Sequence, residues 1–139
     1  MKICGIEIKG SEAILAIAEK TDEGIVHLPV ETKKIPLLDD ESSEHVKSFG
    51  ELMRGFARDN GLASIAIKKR AKKGEFAGGP VTFKIEGLIQ LVEDCNVALL
   101  SGPTISAANR KDVFEIPDTL NKYQHEAFLT ARAAILRGD

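Results

Sequence analysis

The sequence predicts an α/β domain in which helices cover both faces of a mixed five-stranded sheet. Three short apolar segments with tight turns open the chain, and the hydrophobic period then changes from that of strands to that of helices. Two later strands are each reached through a helix, so we expect them to lie parallel to the first strand. The 139 residues, 43% of them hydrophobic, suit one domain over residues 1–139 with one core.

The first three strands are predicted from Ile-rich segments and from the turns between them. Residues 2–9 and 12–20 are joined by a Lys-Gly-Ser turn, and a second turn at 21–24 leads into a strand over 25–31. Pro29 cannot donate a ladder hydrogen bond, so this third strand is expected at a sheet edge or to end there. Together the three strands form an antiparallel meander.

The remainder of the chain predicts alternating helices and buried strands. Acidic and hydroxyl residues at 39–44 are typical of a helix start, and the apolar residues after them recur at steps of three and four. The continuous apolar segments 62–67 and 96–100 are expected for strands that are buried on both faces. Pro80 is a favourable first residue for the helix that connects them.

Two further helices are predicted after the fifth strand. The first is short and covers about 103–110, beginning at a proline. The second is predicted from Asp118, as its N-cap, to Leu136, and Gly138 closes it. The resulting element order is βββαβαβαα.

Composition limits the compartment and the kind of partner. The net charge of -2 and the pI of about 6.0 argue against a protein that is basic throughout, as dedicated nucleic-acid binders usually are, but leave room for a local basic patch. Cys4 and Cys95 lie in apolar contexts, as thiols of a reducing compartment do. No apolar run approaches the ~20 residues that span a bilayer, and no secretion signal is recognisable at the N-terminus. We therefore expect a cytoplasmic protein that does not associate with membranes.

Glu7 is the first candidate site residue. It lies near the end of the first strand, which is otherwise apolar and is expected to be buried on both faces. A carboxylate in such a strand is costly unless it is paired or functional. Both explanations stay open from the sequence.

The element order and three short motifs resemble RuvC-type Holliday-junction resolvases of the ribonuclease H-like fold. Strand one of that family reads roughly Gly-Ile-Asp-Pro-Gly, and residues 5–10 read Gly-Ile-Glu-Ile-Lys-Gly. Its fourth strand ends in Ala-Ile-Glu, whereas residues 66–68 read Ala-Ile-Lys. Its last helix carries Asp-x-x-Asp-Ala, and residues 123–127 read Tyr-Gln-His-Glu-Ala. The chain is also similar to a small bacterial family of uncharacterised cytoplasmic proteins, which implies no activity.

The resemblance implies a nuclease centre with one or two divalent ions, Mg²⁺ or Mn²⁺, held by acids of strand one, strand four and the last helix. On this chain it implies that Glu7 and Glu126 are the catalytic and metal-ligating residues. The acid of strand four is replaced by a cation, whichever of Lys68, Lys69 and Arg70 faces the site. A cation repels a metal ion and pairs with a carboxylate instead, so we expect the nuclease chemistry to be lost or altered.

A run of cations after strand four is the second candidate site. It lies at the carboxyl end of a central strand, where open α/β sheets bind their ligands, and a Gly-Gly-Pro helix start follows it. This pattern predicts binding of nucleic acid or of another phosphate-bearing ligand, and the alternative is a solvated loop. Only Phe76 and Phe83 flank the run, which disfavours stacking of single-stranded bases. The five predicted binding residues are Lys68, Lys69, Arg70, Lys72 and Lys73.

Three functions stay open, and with them the question whether the protein is an enzyme. The first is a phosphate-ligand or nucleic-acid binder with a degenerate nuclease site. The second is a weak Mg²⁺- or Mn²⁺-dependent nuclease that recruits a further acid, such as Glu75 or Glu86. The third is a protein-interaction module or homodimer that makes its contact through edge strand three, Phe114 and Ile116.

Overall fold

The computed structural model describes residues 1–75 and 77–138, which form six strands and four α-helices. The elements follow in the order β1 (Lys2–Lys9), β2 (Glu12–Thr21), β3 (Gly24–Leu28), β4 (Lys34–Pro36), α1 (Ser43–Asp59), β5 (Ser64–Lys68), α2 (Pro80–Gln90), β6 (Asn96–Leu100), α3 (Gly102–Asn109) and α4 (His125–Arg137), with a 3₁₀ turn at Lys122–Gln124 before α4. None of the helices formed by these described residues is both long enough and apolar enough to cross a membrane.

The sheet confirms the predicted mixed α/β topology. Its strands lie in the order β3-β2-β1-β5-β6, with β1 antiparallel to β2, and β5 parallel to both β1 and β6. β3 lies at the edge, as the proline in its sequence predicts, and ends at Leu28.

A sixth strand corrects the predicted count of five. β4 pairs antiparallel with β2, and Ile35 lies opposite Ala13. It is only three residues long and contains Pro36, so it lacks the length and the strand-forming residues that a pattern search detects. The sequence signal for this strand is the alternation of polar and apolar residues over 34–37. In the structure Ile35 and Leu37 are buried, whereas Lys34 and Pro36 are exposed.

The two faces of the sheet carry separate apolar cores. On β1 and β5, Ile6, Ile8, Ile65 and Ile67 pack against α1 and α2. Ile3 and Ala66 belong to the second core, which α3 and α4 complete. Because successive strand residues point to opposite faces, position 7 shares the α4 face with positions 3 and 5.

α4 lies directly on the backbone of β1. A Cβ atom built on Gly5 would be 1.8 Å from the carbonyl oxygen of Ala127 and 2.7 Å from the backbone nitrogen of Ala131. The helix brings buried alanines to this contact, so nothing larger than hydrogen separates the two backbones. This approach fixes the position of the first turn of α4 over β1.

The start of the last helix differs from its prediction. Asp118 is not its N-cap; Asn121 and Gln124 form a capping box instead, and the Gln124 side-chain oxygen accepts a 3.0 Å bond from the Asn121 backbone nitrogen. The Gln124 amide nitrogen also donates to the carbonyl oxygen of Leu15 at 2.9 Å, which ties the turn to β2. The helix ends at Gly138 in the left-handed conformation (φ +79°), as predicted.

Gly5→Ala tests the contact between α4 and β1. The added methyl group collides with backbone rather than with a movable side chain, so we expect the free energy of unfolding to fall by about 3 kcal/mol or more, the upper end for overpacking. Gly87→Ala is the matched control, because a Cβ there meets nothing within 4 Å and alanine favours a helix interior by about 1 kcal/mol. Urea denaturation measures both, and equal effects of the two substitutions would contradict the assignment.

Candidate functional site

The strand register brings Glu7 beside Lys68. β1 and β5 run parallel, and Glu7 is the register partner of Lys68 at the end of their ladder. Both side chains belong to the face that α4 covers. Lys68 is two positions after Ala66 and Glu7 is two positions after Gly5, and strand residues two positions apart point to the same face. The sequence left open which of Lys68 and Lys69 turns towards the site, and the structure identifies Lys68.

Glu126 completes the group from the first turn of α4. Its Oε1 atom lies 3.3 Å from Lys68 Nζ, with the two side chains 45% and 25% exposed. Glu126 directly precedes Ala127, whose carbonyl group packs on Gly5. The close approach of helix and strand therefore sets the position of the carboxylate, and the partial shielding makes this ion pair less screened than a surface pair.

Glu7 is half-buried, and its pKa depends on the charges of Lys68, Glu126 and other nearby residues. Burial raises the pKa of Glu7 above its ordinary value, and the positive charges of Lys68, Lys9 and Arg70 oppose that shift. The negative charge of Glu126 raises the pKa further. Glu7 and Glu126 therefore interact electrostatically at the strand end, and Lys68 acts on both of them.

The cation run divides between the two faces of the sheet. Lys68 and Arg70 act electrostatically on Glu7, whereas Lys69 and Lys72 act on Glu86 of α2. Lys69 still donates its backbone N–H to the Leu100 carbonyl at 2.9 Å, so the alternation of β5 continues one residue past its end. The remaining cation of the run, Lys73, is exposed in the loop that follows.

Glu86 does not join the two acids. It lies on α2, which packs on the opposite face from α4, and burial raises its pKa while Lys72 and Lys69 lower it. Its Oε2 atom is buried without a hydrogen-bond partner among the described residues. Glu75 is exposed in the loop after the cation run. Glu86 is thus a poor third ligand for a metal at Glu7.

The donor set does not fit a divalent-metal centre. Within residues 1–75 and 77–138, no three His, Cys, Asp or Glu side chains lie close enough together to hold a metal ion. Two dications need several converging carboxylates, and here the ammonium group of Lys68 pairs with Glu126 and lowers the pKa of Glu7. Catalytic or metal-binding roles for Glu7 and Glu126, and phosphate binding by the cation run, stay predictions.

The two apolar residues predicted for a protein contact are only partly exposed. Phe114 lies under the guanidinium group of Arg132, 3.6 Å from its ring centroid, and packs against the α4 core. Ile116 is 37% exposed. Phe76, predicted to flank the cation run, falls outside the described residues.

Sequence analysis missed the buried polar network that holds the segment before α4. Arg132 is only 4% exposed, and it donates to Asn109 at 2.9 Å and to Asp112 at 2.6 Å. The Asn109 amide nitrogen also donates to the carbonyl oxygen of Leu129 at 3.0 Å. These partners are 20 or more residues apart, so no local pattern connects them.

The chain has the ribonuclease H-like fold, and solved structures of RuvC-type resolvases are similar to it. Thermus thermophilus RuvC has a TM-score of 0.77 at 8% identity, over 99% of this chain and 95% of that one. T. thermophilus RuvC in complex with a Holliday-junction substrate gives 0.70 at 11% identity, over 99% and 94%. The yeast mitochondrial Holliday-junction resolvase gives 0.63 at 11% identity, over 96% and 77%.

The chain belongs to the family described as protein of unknown function (DUF3010), whose profile matches residues 1–134. No curated protein matches it in sequence. At 8–11% identity the resolvase structures establish the fold that the motifs predicted, and nothing more specific.

Glu7→Gln should change how stability depends on pH. A carboxyl group whose pKa is raised by folding binds more protons folded than unfolded, so the wild-type protein loses stability as pH rises from the ordinary value of 4.5 through the raised one. The glutamine variant lacks this loss, and its stability relative to wild type should increase over that window. Urea denaturation at a series of pH values measures the difference. Glu23→Gln, at an exposed turn, should run parallel to wild type, and a parallel curve for Glu7→Gln would refute the buried-acid interpretation.

Proposed function

We propose that this protein binds nucleic acid at the carboxyl ends of β1 and β5 and that its nuclease centre is degenerate. The observation that carries the proposal is the 3.3 Å ion pair between Lys68 and Glu126, beside Glu7. In the resolvases that the sequence resembles, the strand-four position is an acid. Here the same position supplies the charge that a metal ion would otherwise provide.

Local charge supports binding of a polyanion despite the net charge of -2. Two bare carboxylates would repel a phosphate group, but Lys68 pairs with Glu126, and both Lys68 and Arg70 act electrostatically on Glu7. Phosphate contacts from lysine and arginine supply most of the affinity in non-specific nucleic-acid binding. The strand end therefore offers a positive edge on an otherwise acidic chain.

The division of the run between two faces favours a wide ligand over a small one. Lys68 and Arg70 act electrostatically on Glu7 of the α4 face, whereas Lys69 and Lys72 act on Glu86 of α2. A single phosphate group reaches one of these pairs, but a nucleic-acid backbone carries phosphates at regular spacing and can contact both. T. thermophilus RuvC is recorded in complex with a Holliday junction, which makes branched DNA the first probe to use.

Substituting alanine for Lys69, Lys72 and Lys73 together tests the proposal. Because each lost phosphate contact reduces the slope of log K against log salt by about 0.9, we expect at least tenfold weaker binding to a labelled four-way junction and a shallower slope. The matched control changes the exposed residues Lys20, Lys47 and Lys111 to alanine, which alters net charge equally. Filter binding over a range of salt concentrations measures both. Equal losses in the two variants, or affinity independent of salt, would exclude this site.

Lys68→Glu tests the degenerate centre separately. A third carboxylate beside Glu7 and Glu126 should create a site for Mn²⁺ and raise Tm on the order of 5–10 °C at about 100 times the Kd. Lys69→Glu is the matched control, because that side chain faces α2 and should give no Mn²⁺-dependent shift.

Differential scanning fluorimetry with and without Mn²⁺ compares these two variants with wild type. Equal shifts in both would contradict the assignment of Lys68 to the metal position. If the wild-type protein cleaves the junction with Mg²⁺ or Mn²⁺ and Glu7→Gln abolishes that cleavage, the protein is a weak nuclease and the proposal of a degenerate centre is wrong.

A further inference from the structure

A cleft between β4 and α1 lies on the opposite face of the sheet from Glu7. It has a volume of about 520 Å³ and is lined by the β3–β4 connection, β4 and the outer side of α1. Its apolar wall contains Val30, Leu52 and Phe56. Cavities of ~300–1,000 Å³ are the size that proteins use to bind ligands and peptide side chains.

An apolar surface extends the cleft along α1. A smaller depression of about 80 Å³ shares Pro36 and Leu52 with the cleft and continues to Leu38 and His45. Leu38 is 77% exposed and Leu52 is 53% exposed. Exposed leucines that line one continuous groove mark an interaction surface, whereas scattered ones need no explanation.

The other end of the cleft is acidic. Glu31, Glu51 and Asp59 line it, and all three are exposed. Asp59 lies 3.6 Å from the Arg58 side chain, but both groups are more than 70% exposed, and such surface pairs contribute little. The cleft therefore presents exposed carboxylates beside apolar side chains.

The lysine of the cleft does not neutralise these acids. Lys34 Nζ lies 3.6 Å from the carboxylate of Glu12 and 4.4 Å from the ring centroid of Tyr123, residues outside the cleft lining. Its ammonium group is thus directed to the far side of β4. A ligand with positive charge would find the carboxylates of Glu31 and Glu51 available.

The dimensions of the groove favour an extended peptide. The lining of α1 reaches from His45 to Asp59, about 21 Å at 1.5 Å per residue. An extended segment of about six residues spans that distance. β4, which forms the other wall, has β2 as its strand partner in the described sheet, so the groove lies along a sheet edge.

We propose that this groove binds a short segment of another protein that carries lysine or arginine together with large apolar residues. The apolar side chains would lie on Leu38 and Leu52, and the cationic ones would face Glu31 and Glu51. A second copy of this chain fits less well, because a two-fold contact through this face would bring the same carboxylates towards each other. The proposal does not depend on nucleic-acid binding at the ends of β1 and β5.

Fluorescence polarisation with two labelled octapeptides tests the proposal on the full chain. One peptide alternates lysine and leucine, and the other alternates glutamate and leucine. We expect the basic peptide to bind and the acidic one to bind at least tenfold more weakly, with added salt weakening the basic complex. Equal affinities, or no binding of the basic peptide, would overturn the proposal.

Matched variants locate the binding. Leu52→Ser and Glu51→Lys should each weaken the basic peptide at least tenfold, and both residues are exposed, so the fold should tolerate the changes. Val113→Ser and Glu44→Lys are the controls, since both positions are exposed and lie outside the groove. Controls that weaken binding equally would overturn the proposal. Sedimentation equilibrium that reveals a dimer abolished by Leu52→Ser would also overturn it and assign the groove to self-association.

Discussion

The contact between the α4 backbone and Gly5 is the constraint on which the site depends. Helix and strand approach so closely that a methyl group would overlap the Ala127 carbonyl oxygen. Glu126 precedes that residue, and Glu7 lies two positions beyond Gly5 on the same face. The backbone contact therefore sets the position of Glu126 beside Lys68, and a residue larger than glycine at position 5 would require the helix to shift.

Given that geometry, the identity of position 68 decides what the strand end can do. The negative charge of Glu126 raises the pKa of the half-buried Glu7, and a nearby cation offsets this repulsion. If position 68 were a third acid, the three carboxylates would take up a metal ion from solution as their cation. With lysine at position 68, the cation is part of the chain itself. Lys68 pairs with Glu126 at 3.3 Å, so Arg70 and the rest of the run stay available to attract anions.

The sequence predicted what short-range patterns encode. Strand alternation gave β1, β2 and β5, and the Gly138 cap and the helix start at Pro80 came from turn and cap chemistry. The meeting of Glu7 with Glu126 followed only from the family resemblance. No local pattern predicts the burial of Arg132, because Asn109 and Asp112 are brought to it by the complete fold. The capping box of Asn121 and Gln124 at the 3₁₀ turn is a local pattern that the predicted N-cap at Asp118 overlooked.

The distribution of charge explains why bulk composition is a poor guide to this protein. The run at 68–73 concentrates positive charge at one end of the sheet, whereas the carboxylates of Glu31, Glu51 and Asp59 lie along α1 and β4. The 19 basic and 21 acidic residues of the whole chain nearly cancel to a net charge of -2, yet each surface has a field of its own within a Debye length of about 10 Å. A polyanion at the strand end and a basic peptide at the groove would therefore bind without competing. The two surfaces lie on different elements, the cation run after β5 and the groove between β4 and α1.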